Sequence, residues 1–377
     1  MATFLAIVVG LALVSAGLWD AFETVVLPRR VSRRVRIASA FYRLTWRPYG
    51  ALASRFHDDR REAYLSFYGP LSQIILVGVW AVVLVLGFAL LQWAAGPLSV
   101  ADGQGDFGID LYFSGTSFFT LGLGDVVPRT GVARALTVVE AGTGFGFLAL
   151  VIGYLPIVYQ MFARRETNVS LLDQRAGSPP SAAELLRRNV DSGDVTVLIQ
   201  LLHDWEVWVA DLLESHLSYP TLAYFRSQHE NQSWIAALAV ILDVSAYLLA
   251  CGAGRATRQA GFTFAVGRHA VGDLSNIFEV APRAATTDRL SPEAAQRLRE
   301  IVIKGGLAGT PPADAANRLT AIRGAYEPYL EALSTYLLMP LPPWVPAPNA
   351  KDNWESTSWD FESPVESFGP ESPFRRS

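Results

Sequence analysis

Three long apolar stretches dominate the first 165 residues, and beyond them apolar positions recur at helical spacing. Residues 2–19 are nearly all apolar and are followed at once by Asp20 and Glu23. Residues 71–93 carry no charge, and residues 135–162 carry one, Glu140. A helix needs about 20 apolar residues to cross a bilayer, so each stretch reads as a membrane span. The first has no basic segment ahead of its apolar run. This favours an uncleaved helix over a secretory signal, which is the alternative for it. Three spans put the two chain ends on opposite sides of the membrane.

Residues 164–345 show the period of amphipathic helices and little strand alternation. Helices are expected at 195–217, 262–279, 291–304 and 312–338, and another opens at Ser181 with Glu184 placed for a capping box. Residues 235–250 are strongly apolar but short and are interrupted by Asp243. They are expected to form a buried core helix; as a fourth span they would move everything after them to the other side. From residue 346 to 377, proline, serine and acidic residues dominate, and a disordered tail is expected.

Charge orients the spans. Residues 28–66 hold ten arginines and three acidic residues, and Arg164 and Arg165 follow the third span. The loop 94–128 holds Asp102, Asp106, Asp110 and Asp125 and no basic residue. The positive-inside bias places 28–66 and everything after 163 in the cytoplasm, with the N-terminus and the acidic loop outside. No span repeats arginine at every third position, so none is a voltage-sensor helix. The net charge of −4 gives no argument for nucleic acid, and the single cysteine, Cys251, excludes an intrachain disulfide and a cysteine metal cluster.

The acidic loop contains Thr120-Leu121-Gly122-Leu123-Gly124-Asp125, just before the third span. Asp110 is placed to cap a short helix from Leu111 to Phe119 whose C-terminal end, partially negative, favours a cation. The carbonyls of Thr120, Leu121, Gly122, Leu123 and Gly124, with the Thr120 hydroxyl, form a candidate ion-binding filter that replaces a hydration shell. Asp125 would concentrate cations at the outer mouth. Irregular backbone at membrane depth survives only where it lines water or is buried in protein. A closed carbonyl ring takes four loops, so the partner implied is three further copies of this chain, a homotetramer.

These residues are similar to the two-helix pore module of potassium channels of the bacterial kind. The resemblance runs from about Leu71 to Ala163 and is most specific from Leu111-Tyr112-Phe113-Ser114 through Pro128. It implies an all-α membrane protein with a pore-loop module of outer helix, pore helix, filter and inner helix. To this the chain adds an N-terminal span and an α-helical cytoplasmic domain. The organisation expected is 1–27 span, 28–66 basic linker, 67–163 pore domain, 164–345 helical domain and 346–377 tail. The family's usual filter is Thr-Val-Gly-Tyr-Gly-Asp. Leu123 replaces its tyrosine, which removes the ring and hydroxyl that brace the filter from behind. The implied function is a potassium-selective channel of the cell (inner) membrane, with no cofactor beyond the permeant ion and no enzymatic activity. A weakly selective cation channel and a non-conducting membrane scaffold are the alternatives. No Gly-x-Gly-x-x-Gly fingerprint marks a nucleotide-binding domain, and any cytoplasmic ligand or protein partner is unidentified.

Within the inner helix, Gly144, Gly146 and Pro156 are candidate hinge and gate positions, with close packing through small residues as the alternative. Glu140, an intramembrane acid, is expected to brace the pore helix through Tyr112, Ser114, Thr116 or Ser117, or else to meet Arg134. Asp20 and Glu23 share a helix face and are expected to pair with Arg29, Arg30 or Arg33. The basic linker, with Phe41, Tyr42, Leu44, Trp46, Leu52 and Phe56, is read as an amphipathic helix on the anionic inner leaflet that Pro48-Tyr49-Gly50 breaks, with a solvated loop as the alternative. His203, Asp204, Glu206 and Asp211 could form a metal set, although exposed helical positions of these types are more often solvated.

Overall fold

The structure is a computed structural model that describes residues 1–27, 36–96, 98–100, 103–104, 106–228, 231–252, 254–285, 287–307 and 313–347. It falls into two units, Met1–Gln160 and Met161–Ser377. The expected tail from 348 onward and Arg29, Arg30 and Arg33 lie outside the described residues.

In the first unit, α1 (Ala2–Val25) packs along α4 (Tyr68–Ala95). Backbones meet where side chains are missing: a Cβ on Gly10 would lie 2.8 Å from the Gly87 carbonyl oxygen. Small residues at such crossings let apolar helices associate without a hydrophobic drive. The outward faces keep Phe4, Leu5, Ile74 and Val82 exposed, as lipid-facing helices do.

Asp20 is fully buried, and its use is unexpected. Its two oxygens accept the backbone N–H groups of Ile37 and Ala38, both at 3.0 Å, and the Trp80 indole N–H at 2.8 Å. It therefore caps α2 (Ile37–Ala53), whose own N-cap residue, Arg36, supplies no side-chain bond. Arg36 supplies the cation, 3.9 Å from Asp20 and 3.6 Å from Glu23. The expected break at Pro48 does not occur, and α2 runs through it. Tertiary packing offsets the lost helical bond. Trp46 is buried against Tyr68 (ring centroids 4.7 Å apart), and Tyr49 stacks on Tyr64 at 4.3 Å and donates to the Tyr64 carbonyl at 2.7 Å. Short helix α3 (Asp58–Ser66) then leads into α4.

After α4 the chain forms a small antiparallel sheet, β1 (Leu98–Val100) flanked by β2 (Gly103–Gln104) and β3 (Val127–Pro128), with Leu98 opposite Pro128 and Ser99 opposite Val127. The sheet closes the base of the loop that carries α5 (Phe107–Phe118) and the hexapeptide. Then comes α6 (Gly131–Ala176), 46 residues long. At 1.5 Å per residue it measures roughly 70 Å, more than twice the apolar thickness of a bilayer. Its residues up to Gln160 belong to the first unit and the rest to the second.

The second unit is helical: α7 (Ala182–Asn189), α8 (Thr196–Ser218), α9 (Trp234–Cys251), α10 (Arg255–Ile277), α11 (Pro292–Lys304), α12 (Ala315–Arg323) and α13 (Glu327–Leu337). The single helix expected at 312–338 is split, with a turn at Gly324 between α12 and α13. Ser181 accepts the Glu184 N–H at 3.3 Å, but the Glu184 carboxylate turns to Arg187 and Arg188 instead of completing a capping box. By length and composition α9 is a candidate span, yet 89% of its most apolar window is buried in protein, against 17% for α1. It is the core of this unit, contacted by α7, α8, α10, α12 and α13. Among the described residues no group that could hold a metal ion forms. The His203 set disperses along α8: Asp204 bonds Gln200, Glu206 bonds Gln259, and Asp211 pairs with Arg164 at 2.9 Å.

Candidate functional site: the pore loop and its supports

Helix α5 starts earlier than expected. Asp106, not Asp110, is its N-cap, accepting the Gly108 N–H at 3.0 Å, and Asp110 lies buried in the first turn. Gly108 two positions on admits the cap, so Phe107 and Gly108 join the helix despite their poor propensity. At the other end the Thr116 carbonyl accepts two N–H groups, from Leu121 at 2.8 Å and from Gly122 at 3.3 Å. The hexapeptide is thus tied back to the last turn of α5 at its first residues.

Its backbone alternates. Thr120, Gly122 and Gly124 have φ of 56°, 54° and 80°, whereas Leu121 and Leu123 are not in the positive region. In a strand, successive carbonyls point to opposite sides. When left-handed residues alternate with right-handed ones, successive carbonyls can turn to one side instead. Glycine adopts positive φ without steric cost, and Thr120 does so against its Cβ. All six residues Thr120, Leu121, Gly122, Leu123, Gly124 and Asp125 are exposed on the single chain. Asp125 is held from α5, where the Tyr112 hydroxyl donates to its Oδ2 at 2.9 Å. Sequence reasoning missed this tether and offered Tyr112 only as one of four possible partners for Glu140. A hydroxyl on the first turns of α5, opposite an acid in the loop that follows, was the available signal.

Helix α6 meets α5 at Gly144, at Glu140 and at Phe147, whose ring packs on Phe118 with centroids 5.8 Å apart. A Cβ on Gly144 would lie 1.8 Å from the Phe118 carbonyl oxygen, so this glycine is where α6 and the end of α5 touch. The packing alternative fits Gly144 better than a hinge, whereas Gly146 has no atom within 4 Å of its Cβ position, and both, like Pro156, lie inside a continuous helix. Glu140, fully buried, hydrogen-bonds Ser114 of α5, and Gln92 Nε2 of α4 lies 3.4 Å from its other oxygen. Arg134 is engaged elsewhere, its Nε donating to the Pro128 carbonyl at 3.2 Å. Thr130 joins the outer ends of the helices, its hydroxyl donating to the Ala95 carbonyl at 3.0 Å and accepting the Ala133 N–H at 3.0 Å.

In the second unit α6 is gripped by Arg165, a residue used above only for orientation. Its guanidinium is buried and donates to the carbonyls of Leu222 at 2.8 Å and Phe225 at 2.7 Å. His216 lies beside it: Nδ1 donates to the Leu212 carbonyl at 2.7 Å, leaving Nε2 to face Arg165 at 3.4 Å. Burial first, and the Arg165 charge second, push the His216 imidazole down to about 3, so it is neutral at physiological pH.

Residues 74–160 match the family model described as "Ion channel". The chain is also 24% identical over 240 residues to the "Uncharacterized membrane protein YdjJ" of Bacillus subtilis (strain 168), a similarity covering 62% of this chain and 67% of that protein. No solved structure matches the chain significantly. The matched family segment takes in α4 from Ile74, α5, the alternating hexapeptide and α6 as far as Gln160. With the apolar helices that carry it, this segment is similar to an ion-channel domain, set in a helical chain with spans long and apolar enough to cross a membrane.

Proposed function

We propose that the chain is one subunit of a homotetrameric, potassium-selective channel, with four copies of Thr120–Asp125 forming the filter. The observation that carries this reading is the alternating backbone of the hexapeptide, which can turn successive carbonyls to one side. Carbonyls so arranged can replace the hydration shell of a monovalent cation. Helix α5 supports the same sign of charge, because its C-terminal end leads directly into the loop. The exposure of Phe119, Leu121, Leu123 and Phe145 on one chain supports burial against further copies. In this reading the N-terminus and Asp125 face outside, and the second unit lies in the cytoplasm of a cell whose inner membrane holds the channel.

A second reading is a weakly selective cation channel, which Leu123 favours. Its side chain has no hydroxyl to brace the filter, so stiffness behind the loop rests on Tyr112 and Asp125. Reconstitution of the purified chain in liposomes, with potassium and sodium fluxes measured separately, tests the proposal. Potassium flux well above sodium flux is expected. Equal fluxes would move the assignment to the second reading, and an intact tetramer without flux would leave a membrane-anchored scaffold.

A further inference from the structure

Ser114 stands between two oxygens with one proton, and both hydrogen bonds are made only if Glu140 supplies the second. A serine hydroxyl has one proton to donate. Ser114 Oγ lies 2.8 Å from the Val85 carbonyl oxygen of α4 and is also hydrogen-bonded to Glu140 Oε1 of α6. The Val85 carbonyl can only accept. If Ser114 donates to it, the hydrogen in the second bond comes from the Glu140 carboxyl. An ionised Glu140 would instead draw the Ser114 proton to itself and leave the Val85 carbonyl without that donor.

The surroundings favour the proton. Glu140 is fully buried, and among the described residues no arginine, lysine or histidine forms an ion pair with it. Its other neighbour, Gln92 Nε2, is neutral and 3.4 Å away. A bare carboxylate at this depth is costly, and neutralisation is the usual escape. The titratable groups on the elements packed around it are few. Helix α5 brings Asp110 and Tyr112, the latter bonded to Asp125; α6 brings Arg134, turned to Pro128; α4 has no titratable side chain from Gly69 to Ala95.

Resting on the channel reading above, we infer that Glu140 is a neutral carboxylic acid at physiological pH and positions the filter. Its proton completes a hydrogen-bonded clamp through Ser114 that joins α4, α5 and α6. Ser114 stands two residues before Thr116, whose carbonyl holds the N–H groups of Leu121 and Gly122. The clamp therefore fixes the turn of α5 that anchors the loop. Ionisation at alkaline pH breaks the bond to Val85 and loosens that anchor, so conduction falls as pH rises.

The test uses the full chain in liposomes, as wild type, Glu140→Gln, Glu140→Ala and Ser114→Ala, with potassium flux followed from about pH 6 to about pH 9. The glutamine amide donates as the protonated acid does. Glu140→Gln should keep flux within about twofold of wild type at neutral pH and lose the alkaline decline. Glu140→Ala and Ser114→Ala should each lower flux by about tenfold at neutral pH, the scale of one lost buried hydrogen bond, and should lack the alkaline decline. A Glu140→Gln variant that falls as far as Glu140→Ala, or that retains the wild-type pH profile, overturns the inference. Infrared spectroscopy keeps the two proposals separate. The wild type should show a protonated-carboxyl stretch at neutral pH that Glu140→Gln lacks, even if no variant conducts. Absence of that band rejects the neutral acid, whereas its presence without flux rejects only the channel.

Discussion

Glu140 and Asp243 are both fully buried acids on strongly apolar helices, and the chain handles them in opposite ways. Asp243, on α9, is ion-paired to Arg289 and accepts the Tyr326 hydroxyl at 2.6 Å, while Arg289 also lies 3.5 Å from Glu327 and donates to the Pro342 carbonyl at 3.0 Å. Burial pushes its carboxyl up to about 6 against the pull of Arg289 and Tyr326, which leaves it ionised at neutral pH. Among the described residues Glu140 has only a hydroxyl and an amide for partners. The contrast teaches what hydropathy does not. Two helices of similar apolarity, α1 and α9, differ fivefold in burial, and it is the polar partner of the rare acid that shows which solvent surrounds it.

The largest effect should come from breaking the pair. Asp243→Leu removes the closer of the two carboxylates that face the buried Arg289, leaving Glu327 at 3.5 Å, and should cost about 3 kcal/mol, read as a fall in the thermal midpoint of the purified chain. Adding Arg289→Met should recover most of the loss. A neutral single variant would erase the contrast between the two acids. Next is Gly144→Ala, where the new methyl meets a backbone carbonyl at 1.8 Å and cannot be accommodated by a side-chain shift. The strain should cost about 1–3 kcal/mol and disturb the end of α5, lowering flux as well as stability. Unchanged flux and melting would reject both the close contact and a hinge at Gly144.

His216 gives a pH effect specific to the second unit. Its native value, about 3, lies below the ordinary 6.5, so the unfolded chain binds the proton more tightly. The stabilisation is therefore complete above about pH 6.5 and is lost as pH falls, at up to about 1.4 kcal/mol per unit. Unfolding of the wild type between about pH 7 and about pH 5 should show this slope, and His216→Gln should flatten it. The smallest effect should be that of Glu140→Gln, below about 1 kcal/mol, because the amide keeps both a donor and an acceptor. A loss as large as that of Asp243→Leu would mean that Glu140 is charged and paired.

Much of this was legible in the chain. The apolar runs coincide with α1, α4 and the first part of α6, and the periodic segments at 195–217 and 291–304 fall within a residue or two of α8 and α11. Local order fails where distant groups decide. Pro48 predicts a break, but the aromatic rings of Tyr64 and Tyr68 hold α2 through it. Asp20 reads as half of an ion pair and, besides lying near Arg36, caps a helix that begins seventeen residues later, a bond that no local pattern encodes. At the loop Thr120–Asp125, residue order suggested the alternating glycines, yet positive φ at Thr120 and the Tyr112–Asp125 bond needed the fold. Asp110 reads as the cap of this helix, whereas the helix opens at Asp106, whose carboxylate accepts the Gly108 N–H.

The central claim is that the loop Thr120–Asp125 passes potassium in preference to sodium. The most direct measurement is the reversal potential of the full chain in a planar bilayer, with potassium on one side and sodium at equal concentration on the other. The account predicts a current that reverses strongly toward the potassium equilibrium potential. Reversal at zero would contradict selectivity, and an assembled tetramer that carries no current would contradict the channel itself.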